Sequence, residues 1–484
     1  MRSAPTPYQV CRRARVARDA RYDGLIFSGS TTTRVYCRPI CPGKPPRPSN
    51  NVYFHDRAQA EAAGFRPCLR CRPELAPANF IQNADGSEVR AVLAQIHQGK
   101  LPDEVRDAHP VPVKGPSGHM DSGFQAAVGV TLSEYWQTFR SGFAKILLTD
   151  TALSMADIAA AAGFESTQQM LEALTALYGR DPLGFRKPLP VQPSPGLKSC
   201  ALMLAYRPPF DGPALLNYFR SRAITGVEKV ADGVYQRSFC LNGHTGWISL
   251  QDTPDLHAVR LEVHASDPRC LMQVSWRVRR MLDLDADPLV LQSTFREDAV
   301  LGPVWRRHSG VRVPVCWDPF EFAVRAIVGQ LISVSHATTL MGRIVDAFSE
   351  HLRHPAPKGI GKVFPGPTRL RSADVKPCGT TRIKAEAIAA LARAVDEGAL
   401  NLEMTTDLNT FTKQCTSFRG IGDWTAQTIA MRGLGDPDAF PSGDLGIVKA
   451  LSMDGRPLKP ASIRSMAEQW RPWRAYAAML LWMM

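Results

Sequence analysis

Four cysteines could bind a metal. Cys37 and Cys41 form a C-x3-C pair, Cys68 and Cys71 form a C-x2-C pair, and 26 residues separate the two. Two short-spaced pairs can each clamp one face of a tetrahedral ion, and thiolate is the preferred ligand of structural zinc. Both pairs sit in Pro- and Arg-rich turns, CRPICPGK and CLRCRPE, which suit a metal knuckle better than a core. One Zn2+ is therefore the predicted cofactor, and a zinc-bound thiol is deprotonated and nucleophilic at neutral pH. A second stretch with chemistry in it runs from Phe418 to Asp444, FRGIGDWTAQTIAMRGLGDPDAFPSGD. In its Gly420-Ile421-Gly422 turn, glycines at alternate positions let backbone N–H groups approach a phosphate, because no Cβ stands in the way. The residues from Thr425 onward read as a helix whose N-terminus also favours an anion. A loop rich in Gly, Pro and Asp then ends at Asp444. Taken alone, the turn could simply connect two helices, and Asp444 could be an ordinary loop or cap carboxylate.

The totals narrow the setting. A chain of 484 residues predicts about three domains. The formal charge of +13 favours an anionic partner such as nucleic acid. Residues 1–80 alone hold 14 Lys and Arg against 5 Asp and Glu, which suits phosphate contact. No apolar run reaches the roughly 18 residues of a membrane span. The first 21 residues contain arginines but no apolar h-region, so a signal peptide is not expected. Eleven cysteines are few and uneven for a disulfide framework. The expected location is the bacterial cytoplasm, near the nucleoid.

The segments GLIFSGSTTTRVYCRPIC and AAGFRPCLRCRPE resemble the N-terminal domain of the bacterial adaptive-response protein Ada, across nearly all of residues 8–77. The resemblance implies a zinc ion that is structural and that also activates one of its own ligands. That ligand, at the position of Cys37, would take a methyl group irreversibly from a methylphosphotriester in DNA. Four thiolates on one Zn2+ carry a net charge of about −2, and methylating one leaves about −1, which lessens repulsion from DNA. The Ada family's second methyltransferase core, Pro-Cys-His-Arg, is missing: Pro377-Cys378 continues as Gly379-Thr380. Repair of O6-methylguanine is therefore not expected.

Residues 81–188 read as a helical module. Ser154 to Asp157 cap one helix, Ala162-Gly163-Phe164 make a tight turn, and Ser166 to Gln169 cap another. LLTDTALSMADIAAAAGFESTQQMLEALTALYGRDPLGFR resembles the second helix-turn-helix of the AraC family, which implies a DNA-reading helix. The first such motif is expected near residues 103–130. There Pro110, Pro112, Gly115, Pro116 and Gly118 would break a recognition helix. The second helix exposes Glu165, Gln168 and Gln169 without Arg or Lys. Two readings stay open: a promoter reader that works with RNA polymerase as an activator, or a structural remnant joining two repair domains. The Pro-rich stretch 189–196 reads as a linker.

Residues 197–300 read as an antiparallel-sheet subdomain. Two apolar runs flank Asn242-Gly243, the strongest short hairpin signal, and Val259, Leu261 and Val263 alternate with polar residues. Residues 301–484 read as an all-helical core, with Asp318-Pro319 opening one helix. LAYRPPFDGPALLNYFRSRAITGVEKVADGVYQRSF and the glycine hairpin with Asp444 and WRPWRAYAAMLLW resemble 3-methyladenine DNA glycosylase II, AlkA, over residues 200–484. That family belongs to the helix-hairpin-helix superfamily. The resemblance implies that Gly420, Ile421, Gly422 and Thr425 hold the DNA backbone and that Asp444 is the catalytic aspartate. It also implies that Trp424 and Trp482 line the base pocket, and that Gln330 and Leu331 form the wedge where the damaged nucleotide leaves the stack. Thr428 and Leu445 stand where some relatives have tyrosine. Related enzymes that also cut the strand carry a lysine just after the hairpin. Trp424 offers no amine there, so a monofunctional enzyme is expected. No C-x6-C-x2-C-x5-C pattern for an iron–sulfur cluster occurs near the C-terminus.

The whole reads as a multidomain α+β protein: a small four-cysteine zinc domain, a helix-turn-helix module, an antiparallel-sheet subdomain and an all-α helix-hairpin-helix glycosylase core. The expected activity is hydrolysis of the N-glycosidic bond of alkylated purines in double-stranded DNA, together with methyl transfer to Cys37, by a monomer. The alternative is a methylation-sensing transcriptional regulator.

Overall fold

The computed structural model describes residues 6–78, 87–100, 118–186, 197–402, 407–452 and 456–484. The stretch 189–196, read as a linker, lies outside the described residues. The chain forms two compact units, Met1–Pro208 with Thr253–Trp276, and Pro209–Asp252 with Arg277–Met484.

In the first unit, the helix Tyr8–Ala17 precedes a small sheet. Its strands run in the order Asn51–Phe54, Phe27–Ser30, Val35–Cys37, Arg66–Pro67, and only the last pairing is parallel. Phe27, Tyr36, Ala60 and Phe65 form its apolar core. This sheet is too small to bury much surface, which is why a metal would add stability here. The helices Ser87–His97, Gly118–Val128, Leu132–Asp150, Met155–Ala161 and Thr167–Tyr178 follow. Thr131 and Glu134 close a capping box on the longest of them. Ser154 and Ser166 cap the helices Met155–Ala161 and Thr167–Tyr178 as their sequence predicts. Gly118, expected to break a helix, instead opens one: the glycine penalty is backbone entropy in a helix interior, and the first residue of a helix pays less of it. Pro110, Pro112, Gly115 and Pro116 lie outside the described residues.

The zinc sheet and the helices are tied together within this unit. Arg72, next to Cys71, makes a bidentate pair with Asp150, 2.8 Å at each nitrogen. Glu61 accepts hydrogen bonds from the Tyr36 hydroxyl at 2.6 Å and from Thr138 Oγ1 at 2.8 Å. The strand Lys198–Ala205 pairs antiparallel with Ala258–Ala265, where Val259, Leu261 and Val263 are buried as their alternation predicts. Arg207, beyond that strand, donates to the carbonyls of Asp23 and Ala78.

In the second unit, the strands Glu228–Ala231, Val234–Leu241 and His244–Thr253 form a meander. Asn242 and Gly243 both have positive φ, 52° and 79°, as a tight two-residue hairpin turn requires. Apart from a short antiparallel ribbon of Glu350–His351 with Lys362–Val363, the rest is mainly helical and encloses one large apolar core that includes Phe295, Trp305, Ile327, Ile388, Phe411, Ile429, Trp470 and Tyr476. Asp318 caps the helix Pro319–Val328 by accepting from the backbone N–H groups of Phe320 and Glu321. Glu321, one turn in, forms a buried pair with Arg237 of the meander at 2.8 Å.

Candidate active sites

The metal site is built on the zinc sheet. Cys37 ends a strand and pairs with Ser28, and Cys68 follows the parallel partner strand. Cys41 and Cys71 sit in the turns after them. All four Sγ atoms lie within 4.8 Å of one another. A tetrahedral zinc with Zn–S bonds of about 2.3 Å needs sulfurs about 3.8 Å apart, so this donor set fits one zinc ion. The close-set thiols bias one another: the hydrogen bond with Cys37 holds Cys41 down, whereas the bonds with Cys41 and Cys68 push Cys37 up.

Buried arginines fix the knuckles. Arg15 is 1% exposed, and it donates to the carbonyls of Cys41 and Gly43 at 3.2 and 2.8 Å. Arg38 pairs with the buried Asp23, and its backbone N–H donates to Cys71 Sγ at 3.3 Å. Sequence reasoning read these arginines as part of a basic surface. Their burial could not be seen in it, because an arginine flanked by Pro and Cys has the same local pattern whether it faces water or a loop's carbonyls. Cys41 and Cys71 are buried, whereas Cys37 and Cys68 are half-exposed.

The second site forms around Asp444. This residue caps the helix Leu445–Leu451, and its Oδ1 accepts from Gly446 N at 2.9 Å and Ile447 N at 3.3 Å. Two indoles complete the shell: Trp482 Nε1 donates to Oδ1 at 2.8 Å and Trp424 Nε1 donates to Oδ2 at 3.1 Å. Four N–H donors thus complement the negative charge. The two tryptophans that the sequence assigned to a base pocket are brought together on one carboxylate. Leu445, beside it, is 81% exposed, and the Thr428 hydroxyl is spent on the Trp424 carbonyl at 2.6 Å.

The hairpin leads straight into the helix Asp423–Ile429, which carries Trp424. Gly420 has φ +91°, and a Cβ there would press on Ile383 and Ala387. Gly422 caps that helix with open space around its Cα. The Ile421 and Thr425 side chains are buried, and the Ile421 N–H is already spent on the Phe418 carbonyl at 3.1 Å. Gln330 is spent on structure: its Nε2 donates to Gly420 O at 2.8 Å and Thr425 Oγ1 at 2.9 Å. Leu331, the next residue, is 100% exposed with φ +59°. A leucine so placed is no part of the core.

Sequence reasoning missed two groups here. A Cβ on Gly446 would stand 2.8 Å from Trp482 Cδ1, so only glycine lets the indole reach Asp444. Arg432, 7% exposed, lies between two rings, 4.9 Å from the Trp482 centroid and 4.6 Å from that of Tyr218. Arg222 stacks on Tyr218 at 4.0 Å. Gly446 follows Asp444 by two positions and could have been noticed. Nothing local marks Arg432.

Fold and sites together define a helix-hairpin-helix DNA glycosylase joined to a four-cysteine zinc domain and a helix-turn-helix module. Family descriptions match accordingly: "Metal binding domain of Ada" over residues 10–74, "Helix-turn-helix domain" over 117–188 and "AlkA N-terminal domain" over 201–318. The chain belongs to the family of the Mycobacterium tuberculosis protein named "Probable bifunctional transcriptional activator/DNA repair enzyme AlkA". The two are 33% identical over 480 residues, 98% of this chain and 96% of that one. DNA-3-methyladenine glycosylase 2 of Escherichia coli is 34% identical over 284 residues, 58% of this chain and 95% of its own length. The solved 3-methyladenine DNA glycosylase of Archaeoglobus fulgidus has the same fold over 58% of this chain and 97% of its own, at TM-score 0.50 and 22% identity. Among the described residues, no helix is long and apolar enough to cross a membrane.

Proposed function

We propose that the chain repairs alkylated DNA by two separate reactions, in the cytoplasm where its substrate lies. Residues 301–484, supported by the β-rich residues 197–300, excise alkylated purines. Residues 1–80 accept a methyl group from methylphosphotriesters, with residues 81–188 as the helix-turn-helix module between. The observation that carries the first reaction is the Asp444 carboxylate, held by the Trp424 and Trp482 indoles beside the Gly420–Gly422 hairpin.

An N-alkylated purine is cationic and already a good leaving group, so little acid catalysis is required. The sugar becomes an oxocarbenium-like cation as the N-glycosidic bond breaks. The base leaves neutral with the bonding electrons, and Asp444 stabilises the sugar's charge and orients the water that adds to it and gives up a proton to solvent. The aromatic faces of Trp424 and Trp482 favour an electron-poor base lifted out of the duplex. Leu331 enters the stack in its place. Trp424 cannot form a Schiff base, so the product is an abasic site in an uncut strand.

In the front domain, Cys37, Cys41, Cys68 and Cys71 would hold zinc, which supplies a thiolate at neutral pH. The Cys37 sulfur attacks the methyl carbon of the phosphotriester. An S–C bond forms, the C–O bond breaks, and a phosphodiester anion leaves. The buried Cys41 and Cys71 cannot meet such a substrate, and the Cys71 sulfur already accepts the Arg38 N–H. A regulatory reading rests on the Arg72–Asp150 pair, which links the residue after Cys71 to the longest helix of the helix-turn-helix module.

Duplex DNA carrying labelled methyl groups tests both reactions. Label released as free base and lost in Asp444→Asn supports the glycosylase. Label on the protein and lost in Cys37→Ala supports the methyl acceptor. Retention of either activity in its variant refutes that assignment.

A further inference from the structure

Leu331 stands in a left-handed conformation that is uphill for any residue with a branched side chain, and such a conformation persists only where its surroundings over-determine it. The side chain itself supplies no anchor, because it is fully exposed. The restraint comes from below. The helix Pro319–Val328 ends just before the turn, leaving carbonyls without intrahelical partners at the negative end of its dipole. Lys384, on the separate helix Arg382–Asp396, reaches under that end. Its Nζ donates to Val328 O at 2.9 Å and to Gln330 O at 2.7 Å. Gln330 is thereby held at both ends, its carbonyl by Lys384 and its side-chain amide by Gly420 and Thr425.

We propose that Lys384 is a positioning residue for nucleotide extrusion: its ammonium locks the Val328 and Gln330 carbonyls and so keeps Leu331 aimed outward. This rests on the wedge role of Leu331. An ammonium suits the task because it carries three donors and no acceptor, and two carbonyls converge on it. Arginine can satisfy the same carbonyls, whereas methionine fills the space and bonds to neither. The half-buried Lys384 is thus not a spare surface cation for phosphate.

The test uses the full-length protein and its Lys384→Met, Lys384→Arg and Leu331→Ala variants. A duplex carries a non-cleavable abasic analogue with 2-aminopurine beside it, whose fluorescence rises when the stack opens. A second duplex carries one N-alkylated purine for single-turnover excision at saturating protein. Lys384→Met is expected to lose most of the fluorescence rise and about tenfold or more in excision rate, consistent with losing two charge-assisted hydrogen bonds. Lys384→Arg restores both. The slope of log affinity against log salt stays unchanged, whereas loss of a phosphate contact would lower it by about one. A normal fluorescence rise in Lys384→Met, or a reduced salt slope, overturns the proposal. If Lys384→Met does not fold, a Lys384→Arg variant with normal melting but no fluorescence rise overturns it equally. If Leu331→Ala opens the stack normally, it is the wedge reading that fails. If Leu331→Ala is defective and Lys384→Met is not, only the role of Lys384 fails.

Discussion

Replacing Asp444 with Asn separates the charge of this residue from its part in the fold. Asn keeps one carbonyl oxygen, so the Gly446 and Ile447 N–H groups and the Trp482 indole keep their acceptor. Asn and Asp are comparable helix caps, so the melting temperature should move little. The second oxygen, 3.1 Å from Trp424 Nε1, becomes an NH2 group that faces a donor, and Trp424 must shift slightly. The main loss is electrostatic. A carboxylate about 4 Å from a developing unit charge, at an effective dielectric constant of about 20, contributes about 4 kcal/mol. At 1.36 kcal/mol per decade, this is roughly a thousandfold in rate. The assay is single-turnover release of an alkylated purine from an oligonucleotide duplex at saturating protein, with thermal melting measured on the same samples. A rate within about tenfold of the parent, with unchanged melting, would show that Asp444 only caps its helix and would refute the catalytic reasoning.

Three further outcomes follow from the same geometry. Leu331→Gly should raise stability by about 1 kcal/mol in denaturant melts, because glycine adopts positive φ without strain, while excision from duplex DNA falls. Gly446→Ala should leave the fold intact yet lower excision severalfold, because the new Cβ would displace Trp482 from Asp444, which indole fluorescence would report. Burial pushes the Glu61 carboxyl up to about 7, against the hydrogen bonds from Tyr36 and Thr138 that favour its charge. The unfolded chain, near 4.5, then gives up this proton first as pH rises. The stability that Glu61 contributes is present below about 4.5 and is lost as pH rises through about 7. Thermal melts between pH 5 and 7 should decline, and Glu61→Gln should flatten that decline.

Much of the layout of the candidate sites was legible in the sequence because it is written in local spacing. The paired cysteines, the alternate glycines of the hairpin, the serine caps and the Asn242-Gly243 turn each depend on a few adjacent residues, and backbone sterics allow few alternatives. Asp444 was found through the hairpin before it. What the sequence left open lies in packing between distant segments. Trp482 reaches Asp444 across 38 residues, and Lys384 reaches Gln330 across 54. Arg15, Arg38 and Arg432 look like solvated charges until the carbonyls, carboxylate and rings around them are in place. By local pattern Leu331 reads as an apolar residue in an apolar run; the family resemblance marks it as a wedge, and the tertiary structure turns it outward. Residue type and spacing determined which groups could react. Which donors face the carboxylate, and which leucine faces solvent, was decided by the packing of helices far apart in the chain, because hydrogen bonds and burial depend on three-dimensional neighbours that no local pattern specifies.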